Sequence, residues 1–203
     1  MTDTNVVRVV AALVAAYLIS AIPFGYLLVR LRTGSDIRSA GSGNIGATNA
    51  IRVGGRGLGL LTLALDMAKG VISVALAWWM TEGNPIACAA AAFCSVLGHC
   101  YPIYLKFRGG KGIATGCGAY GLLAPIPMVV TLAVFCLAVL LTRIVSVGSI
   151  AAGIALPLLV WWLNPDAALL ISVIMAALLV ISRHRTNIER LLQGVEHRVD
   201  GGA

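Results

Sequence analysis

The side chains whose types and spacing best suit polar chemistry in this sequence sit in three short stretches. The first, RSAGSGNIGATNAIRVGGRG from Arg38 to Gly57, sets Ser42, Asn44, Thr48 and Asn49 among glycines and trails into Arg52 and Arg56. The second, GHCYPIYLKFRGGKGIATG from Gly98 to Gly116, places Lys111 between Gly109, Gly110 and Gly112. The third, SRHRTNIERLLQGVEHR from Ser182 to Arg198, gathers Arg183, His184, Arg185, Asn187 and Glu196. Glycine lets successive backbone N–H groups converge on an anion, and hydroxyls, amides and fixed cations complete such a cradle. The chemistry these residues share is the holding of phosphate. Three such stretches suit two phosphate-bearing reactants better than one simple anion.

Two familiar phosphate motifs are excluded by context. Gly41-x-Gly43-x-x-Gly46 has the form of a dinucleotide fingerprint, and Asp66 lies where its ribose-binding acid would be expected. That motif acts only between a strand and a helix, whereas here an apolar run precedes it. Asp66, three residues before Lys69 on an apolar helix, is expected to pair with that lysine instead. The glycines around Lys111 lack the spacing and trailing Ser/Thr of a P-loop. The five cysteines are odd in number and form no Cys-x-x-Cys pair, so they read as small apolar packing residues. Cys94, His99 and Cys100 fit no usual metal-ligand spacing, and no metal or cofactor is expected. Ser182 to Arg198 taken alone would also suit a basic amphipathic helix lying on a membrane surface.

The elements that position these stretches follow from composition. Of 203 residues, 59% are hydrophobic and 11% charged, and the mean hydropathy is +0.93. Such a chain is an all-α polytopic membrane protein, with residues 1–203 forming a single domain. Apolar runs cover Val6 to Val29, Leu58 to Met80, Pro85 to about Leu97, Ile113 to Leu141, Ile144 to Leu163 and Ala167 to Ser182. Of the fifteen Lys and Arg residues, five fall in Arg30 to Arg56, three in Lys106 to Lys111 and four in Arg183 to Arg198. The positive-inside rule puts all three groups in the cytoplasm. That is consistent only if Ile113 to Leu141 crosses twice, turning near Ala124 to Pro127. Seven spans result, with the N-terminus outside and the C-terminus cytoplasmic. The fourth, about Gly112 to Leu123, is too short for a ~30 Å hydrocarbon core, and a partial helix of that kind is tolerated where it lines a cavity.

The motifs SGNIGATNAIR, HCYPIYLKFRGGKGIATG and RHRTNIERLLQGVE, together with LDMAKG at Leu65 to Gly70, resemble in order the signatures of the PlsY family of bacterial acyl-phosphate:glycerol-3-phosphate acyltransferases. Departures are mild: Tyr101 and Tyr104 stand where phenylalanine is frequent, Arg108 where lysine is frequent, and Ile113 for valine. The resemblance implies an integral enzyme of the bacterial cytoplasmic (inner) membrane with its active site facing the cytoplasm. It implies transfer of a fatty acyl group from acyl phosphate to the sn-1 hydroxyl of glycerol 3-phosphate, giving lysophosphatidic acid and phosphate, the first step of phospholipid synthesis. By the same resemblance Ser42, Arg52, Lys111, His184 and Asn187 are the catalytic candidates. The amides of Gly43, Gly46, Gly110 and Gly112 would surround the phosphates. Asn44, Thr48, Asn49, Lys69, Gly109, Thr115, Ser149, Arg183, Arg185 and Glu196 are further substrate-binding candidates, with Glu196 bracing the third motif. Membrane lipids are expected partners; nucleic acid and an obligate protein partner are not. A membrane carrier for phosphate or an organophosphate is the alternative, although no inverted repeat is visible between the halves.

Overall fold

The structure, a computed structural model, describes residues 3–199; the two ends of the expected single domain lie outside the described residues. The described chain is helical, without a strand. The first apolar run is not one helix. α1 (Asp3–Ala21) and α2 (Phe24–Thr33) are separated at Ile22 and Pro23. Proline has no N–H to continue the ladder and its ring displaces the preceding turn, so Pro23 divides a run that hydropathy alone reads as continuous.

α3 (Ala47–Gly54) is a short helix that carries Arg52, and α4 (Arg56–Met80) is the longest element. α5 (Pro85–Cys100) starts with proline at its first turn, its N-terminus capped by Asn84, whose Oδ1 accepts from Ala87 N at 3.0 Å. This helix extends three residues beyond the boundary expected near Leu97. α6 (Ile113–Leu123) is the expected short segment, and α7 (Pro125–Thr142) begins at the expected turn. α8 (Val145–Leu163) and α9 (Ala167–Arg183) complete the apolar elements, and α10 (Arg185–Leu192) leaves α9 at a 55° bend. The joined α1–α2 segment, α4, α5, α7 and α8 are long and apolar enough to cross a membrane, and the bent α9–α10 pair makes a sixth candidate. Exposed Trp78 and Trp79 near the end of α4, and Trp161 and Trp162 near the end of α8, sit where aromatic side chains mark a membrane interface.

Small residues let these helices approach closely, as helices in lipid require. A Cβ at Gly70 of α4 would collide with the Thr115 carbonyl of α6, and one at Gly118 would meet the Met67 carbonyl coming back. Buried hydroxyls then tie the bundle. Ser20 of α1 lies 3.1 Å from Ser73 of α4 and 2.7 Å from Ser95 of α5. Ser172 of α9 holds the buried Tyr120 hydroxyl of α6 at 2.8 Å and donates to the Ala89 carbonyl of α5 at 2.6 Å. The apolar core between α4, α5, α6 and α9 includes Val74, Val96, Ala119 and Val173. Against it the short α6 is fixed, and with it the loop that carries Lys111.

Candidate active site

The first loop is shaped from within. Asn49, 1% exposed, accepts from Ser42 N at 2.8 Å and donates to the carbonyls of Ile37, Ala40 and Asn44 at 3.1, 3.1 and 2.8 Å. Asn44 Oδ1 accepts from Gly46 N at 2.9 Å. Both asparagines therefore organise backbone; Asn49 is wholly occupied in doing so. The loop projects Ser42, Thr48 and Arg52 toward one cavity.

The second loop is held from two sides. Gly110 N donates to the His99 carbonyl at 3.0 Å, and Arg183 donates from Nη2 to the Gly109 carbonyl at 2.9 Å and from Nε to that of Gly110 at 3.1 Å. Gly112 takes the left-handed conformation, φ +84°, that turns the chain into α6. Between them Lys111 extends its ammonium to Asn187 Oδ1 at 2.5 Å. In the third stretch the α9–α10 bend places His184 and Asn187 against this lysine. His184 is 1% exposed, and its Nδ1 lies 2.8 Å from the Val180 carbonyl. A carbonyl can only accept, so Nδ1 carries the proton in the neutral ring and Nε2 keeps its lone pair. Glu196 folds back beneath: Oε1 accepts from Asn187 Nδ2 at 2.6 Å and Ser146 Oγ at 3.0 Å, and Oε2 accepts from Arg190 Nε at 2.6 Å.

The three stretches meet in one cavity of about 520 Å³. Ser42, Asn44, Gly46, Thr48, Asn49, Arg52, Lys111, Gly112, Ser149, His184, Asn187 and Glu196 all line it. Its polar end carries Arg52, Lys111 and Arg190 against the carboxylate of Glu196, so positive charge is in surplus there. The remainder is walled by apolar side chains such as Met128, Leu132, Phe135 and Leu156 from α7 and α8. Burial lowers the Lys111 ammonium to about 8, with Arg190, Arg52 and Arg183 adding repulsion and Glu196 opposing them. Burial works to raise the Glu196 carboxyl, but the hydrogen bonds from Arg190, Asn187 and Ser146 outweigh it and hold the group below the usual carboxylate range.

Several expected site residues lie elsewhere. The amide cradle is mostly closed: Gly43 N is committed to the Ala40 carbonyl, Gly46 N to Asn44 and Gly110 N to His99. Those glycines shape the loops, leaving side chains to face the cavity. Lys69 is 2% exposed and behind the cavity wall, its Nζ 2.8 Å from Asp66 Oδ1, the expected intrahelical pair, and 2.9 Å from the Ile22 carbonyl. Thr115 is fully buried in the α4–α6 contact. Arg183 braces the second loop and lies over the Tyr101 ring, 5.0 Å from its centroid, while Arg185 is exposed outside the cavity. Conversely, Arg190, Ser146, Asp66 and His99 line the cavity without having been assigned to it. Arg190 stands within the third stretch, one helical turn after Asn187 on α10, and Ser146 lies outside all three stretches, one turn before Ser149 on α8; that i,i+3 spacing could have found both.

Comparison with known proteins covers nearly the whole chain. Residues 10–194 fit the model of the glycerol-3-phosphate acyltransferase family. The glycerol-3-phosphate acyltransferase of Syntrophotalea carbinolica is 49% identical over 186 residues, 92% of this chain and 95% of that protein. The chain belongs to the glycerol-3-phosphate acyltransferase family. A second relative, the glycerol-3-phosphate acyltransferase of Trichlorobacter lovleyi, is 44% identical over 90% of this chain and 93% of its own. This acyltransferase also superposes on crystal structures of PlsY (YgiH), an integral membrane glycerol 3-phosphate acyltransferase. Its glycerol 3-phosphate form gives a TM-score of 0.89 at 37% identity, and its lysophosphatidic acid form 0.86 at 35%, each over 94% of both chains. The all-helical membrane fold is thus the family's fold, and the protein is an acyltransferase enzyme of that membrane-integral kind.

Proposed function

We propose that this acyltransferase moves a fatty acyl group from acyl phosphate to the sn-1 hydroxyl of glycerol 3-phosphate, releasing lysophosphatidic acid and phosphate. The observation that carries the proposal is the cavity itself. A polar end with surplus positive charge suits two phosphates, and the apolar continuation beside it suits one acyl chain. That a relative of the same fold has crystal forms with glycerol 3-phosphate and with lysophosphatidic acid supports the acceptor and the product.

In this reading the hydroxyl oxygen attacks the acyl carbonyl carbon, the bond from that carbon to the bridging phosphate oxygen breaks, and inorganic phosphate departs. Ser42, Arg52 and Lys111 hold the phosphates, while His184 and Asn187 hold the acceptor. Acyl phosphate is already activated, so the step needs its leaving charge stabilised by preorganised donors more than it needs a protonated leaving group. The hydroxyl proton passes to a non-bridging oxygen of the donor phosphate. A second reading makes His184 the base, favoured by the Val180 contact that leaves Nε2 as an acceptor. His184→Gln and His184→Ala separate them: a nearly active glutamine variant supports the substrate as proton acceptor, and equal loss in both supports His184.

The basic loops and the cavity's polar end belong on the cytoplasmic side of a bacterial inner membrane, in a seven-crossing arrangement with α6 as the short fourth segment and the N-terminus outside. The test is to mix protein purified in detergent with acyl phosphate and glycerol 3-phosphate, with acyl-CoA as the competing donor. Lysophosphatidic acid formed with one phosphate released per turnover supports the proposal. Product only from acyl-CoA would overturn the donor assignment. No product, with uptake of labelled phosphate by proteoliposomes, would favour the carrier.

A further inference from the structure

Below Lys111 the bundle holds a charged cluster that acyl transfer as written does not use. On α4, Asp66 and Lys69 are each 2% exposed, Oδ1 and Nζ 2.8 Å apart. On α5, His99 is 4% exposed, with Nδ1 3.7 Å from the same carboxylate oxygen. Lys69 also donates to the Ile22 carbonyl at the α1–α2 break and lies 5.8 Å from the centroid of the Phe24 ring. Burying such charges in helices that cross a bilayer carries a desolvation cost of several kcal/mol per ion. Asp66 and His99 reach the cavity wall, whereas Lys69 stands behind it.

Sterics oppose a direct catalytic role for His99. Its Nε2 lies under Gly110 so closely that even a methyl group on Gly110 would collide with it. What the histidine touches is the backbone that carries Lys111. Its ring underlies Gly110 and its carbonyl accepts from Gly110 N at 3.0 Å. The next residue, Lys111, reaches across to Asn187.

We propose that Asp66, Lys69 and His99 are positioning residues: Lys69 fixes Asp66, Asp66 steadies the His99 ring, and that ring sets the height of the Gly109 to Gly112 loop and aims Lys111 at the phosphates. The inference rests on the phosphate-holding role given to Lys111 above. A cation aimed before substrate arrives loses less ordering entropy on binding, and small misplacement of such a group can cost ~10²-fold in rate.

The test is a double-mutant cycle on protein purified in detergent, assayed with acyl phosphate and glycerol 3-phosphate. His99→Ala is expected to lower kcat/KM for glycerol 3-phosphate by about tenfold or more, up to ~10²-fold, mainly through KM, with a melting temperature close to that of the wild type. Added to Lys111→Ala, it should change the residual rate less than about twofold, because coupled residues are not additive. Full multiplication of the two losses would overturn the proposal by making His99 act without Lys111. A melting temperature lowered as far as in Lys69→Met would overturn it by making His99 a stability element. The paired Asp66→Asn/Lys69→Met variant removes both charges without stranding either, and should reproduce the raised KM. A wild-type KM in that protein would contradict the role given to the ion pair. An inactive wild type would instead sink the acyl-transfer reading itself.

Discussion

Lys69 and Lys111 belong to two regions joined through His99, and they differ in what surrounds their charge. Lys69, inside the bundle, meets a carboxylate and a carbonyl, so its charge is answered within the protein. Lys111, at the cavity's polar end, meets the neutral amide of Asn187 and shares one carboxylate, Glu196, with Arg190 and Arg52 nearby. The difference teaches how to tell a structural cation from a working one. The first is balanced by the fold, and the second is left in surplus for an anion that the fold does not contain.

The largest expected effect breaks the balanced side. Lys69→Met leaves Asp66 buried without its cation and should lower stability by about 3–5 kcal/mol, read as thermal unfolding in detergent. Adding Asp66→Asn should recover most of it. Lys111→Ala should do the opposite. Turnover should fall about 10²- to 10³-fold, as for loss of one preorganised donor, while the unfolding temperature stays near that of the wild type.

The pH dependence sharpens the contrast further. With Lys111 lowered to about 8 in the free enzyme, its ammonium is charged below that pH and loses its proton as pH rises through it. The value of kcat/KM for glycerol 3-phosphate should therefore fall above about pH 8, approaching tenfold per unit. Lys111→Arg, charged throughout, should abolish that limb. The smallest effect lies outside both regions. Arg185 is exposed and outside the cavity, so Arg185→Ala should change stability by less than about 0.5 kcal/mol, with KM little altered.

Much of this was legible in residue order. Hydropathy and the placement of basic residues located the long apolar helices, the short α6 and the turn before Pro125, though not α3, which lies in a stretch read as a glycine-rich loop, and three-residue spacing announced the Asp66–Lys69 pair. The break at Pro23 carried a plain local signal that a long apolar run masked. The use of the glycine amides was not legible, because glycine content reveals that a backbone can turn but not which acceptor each N–H will find. Gly43, Gly46 and Gly110 found theirs inside the protein. Arg190 and Ser146 were not hidden in the same way. Each sits one helical turn from a named candidate, Ser146 from Ser149 and Arg190 from Asn187, a local signal that could have been used; what no local periodicity encodes is the long-range contact by which Glu196 joins the two.

The most direct measurement is equilibrium binding of labelled glycerol 3-phosphate, without an acyl donor, to detergent-purified wild-type and Lys111→Met protein at pH 7. If surplus positive charge at the cavity's polar end gathers the phosphates, the variant should bind about tenfold or more weakly, the worth of one charge-assisted hydrogen bond at ~1.5–3 kcal/mol. Unchanged affinity in a folded variant would contradict the account.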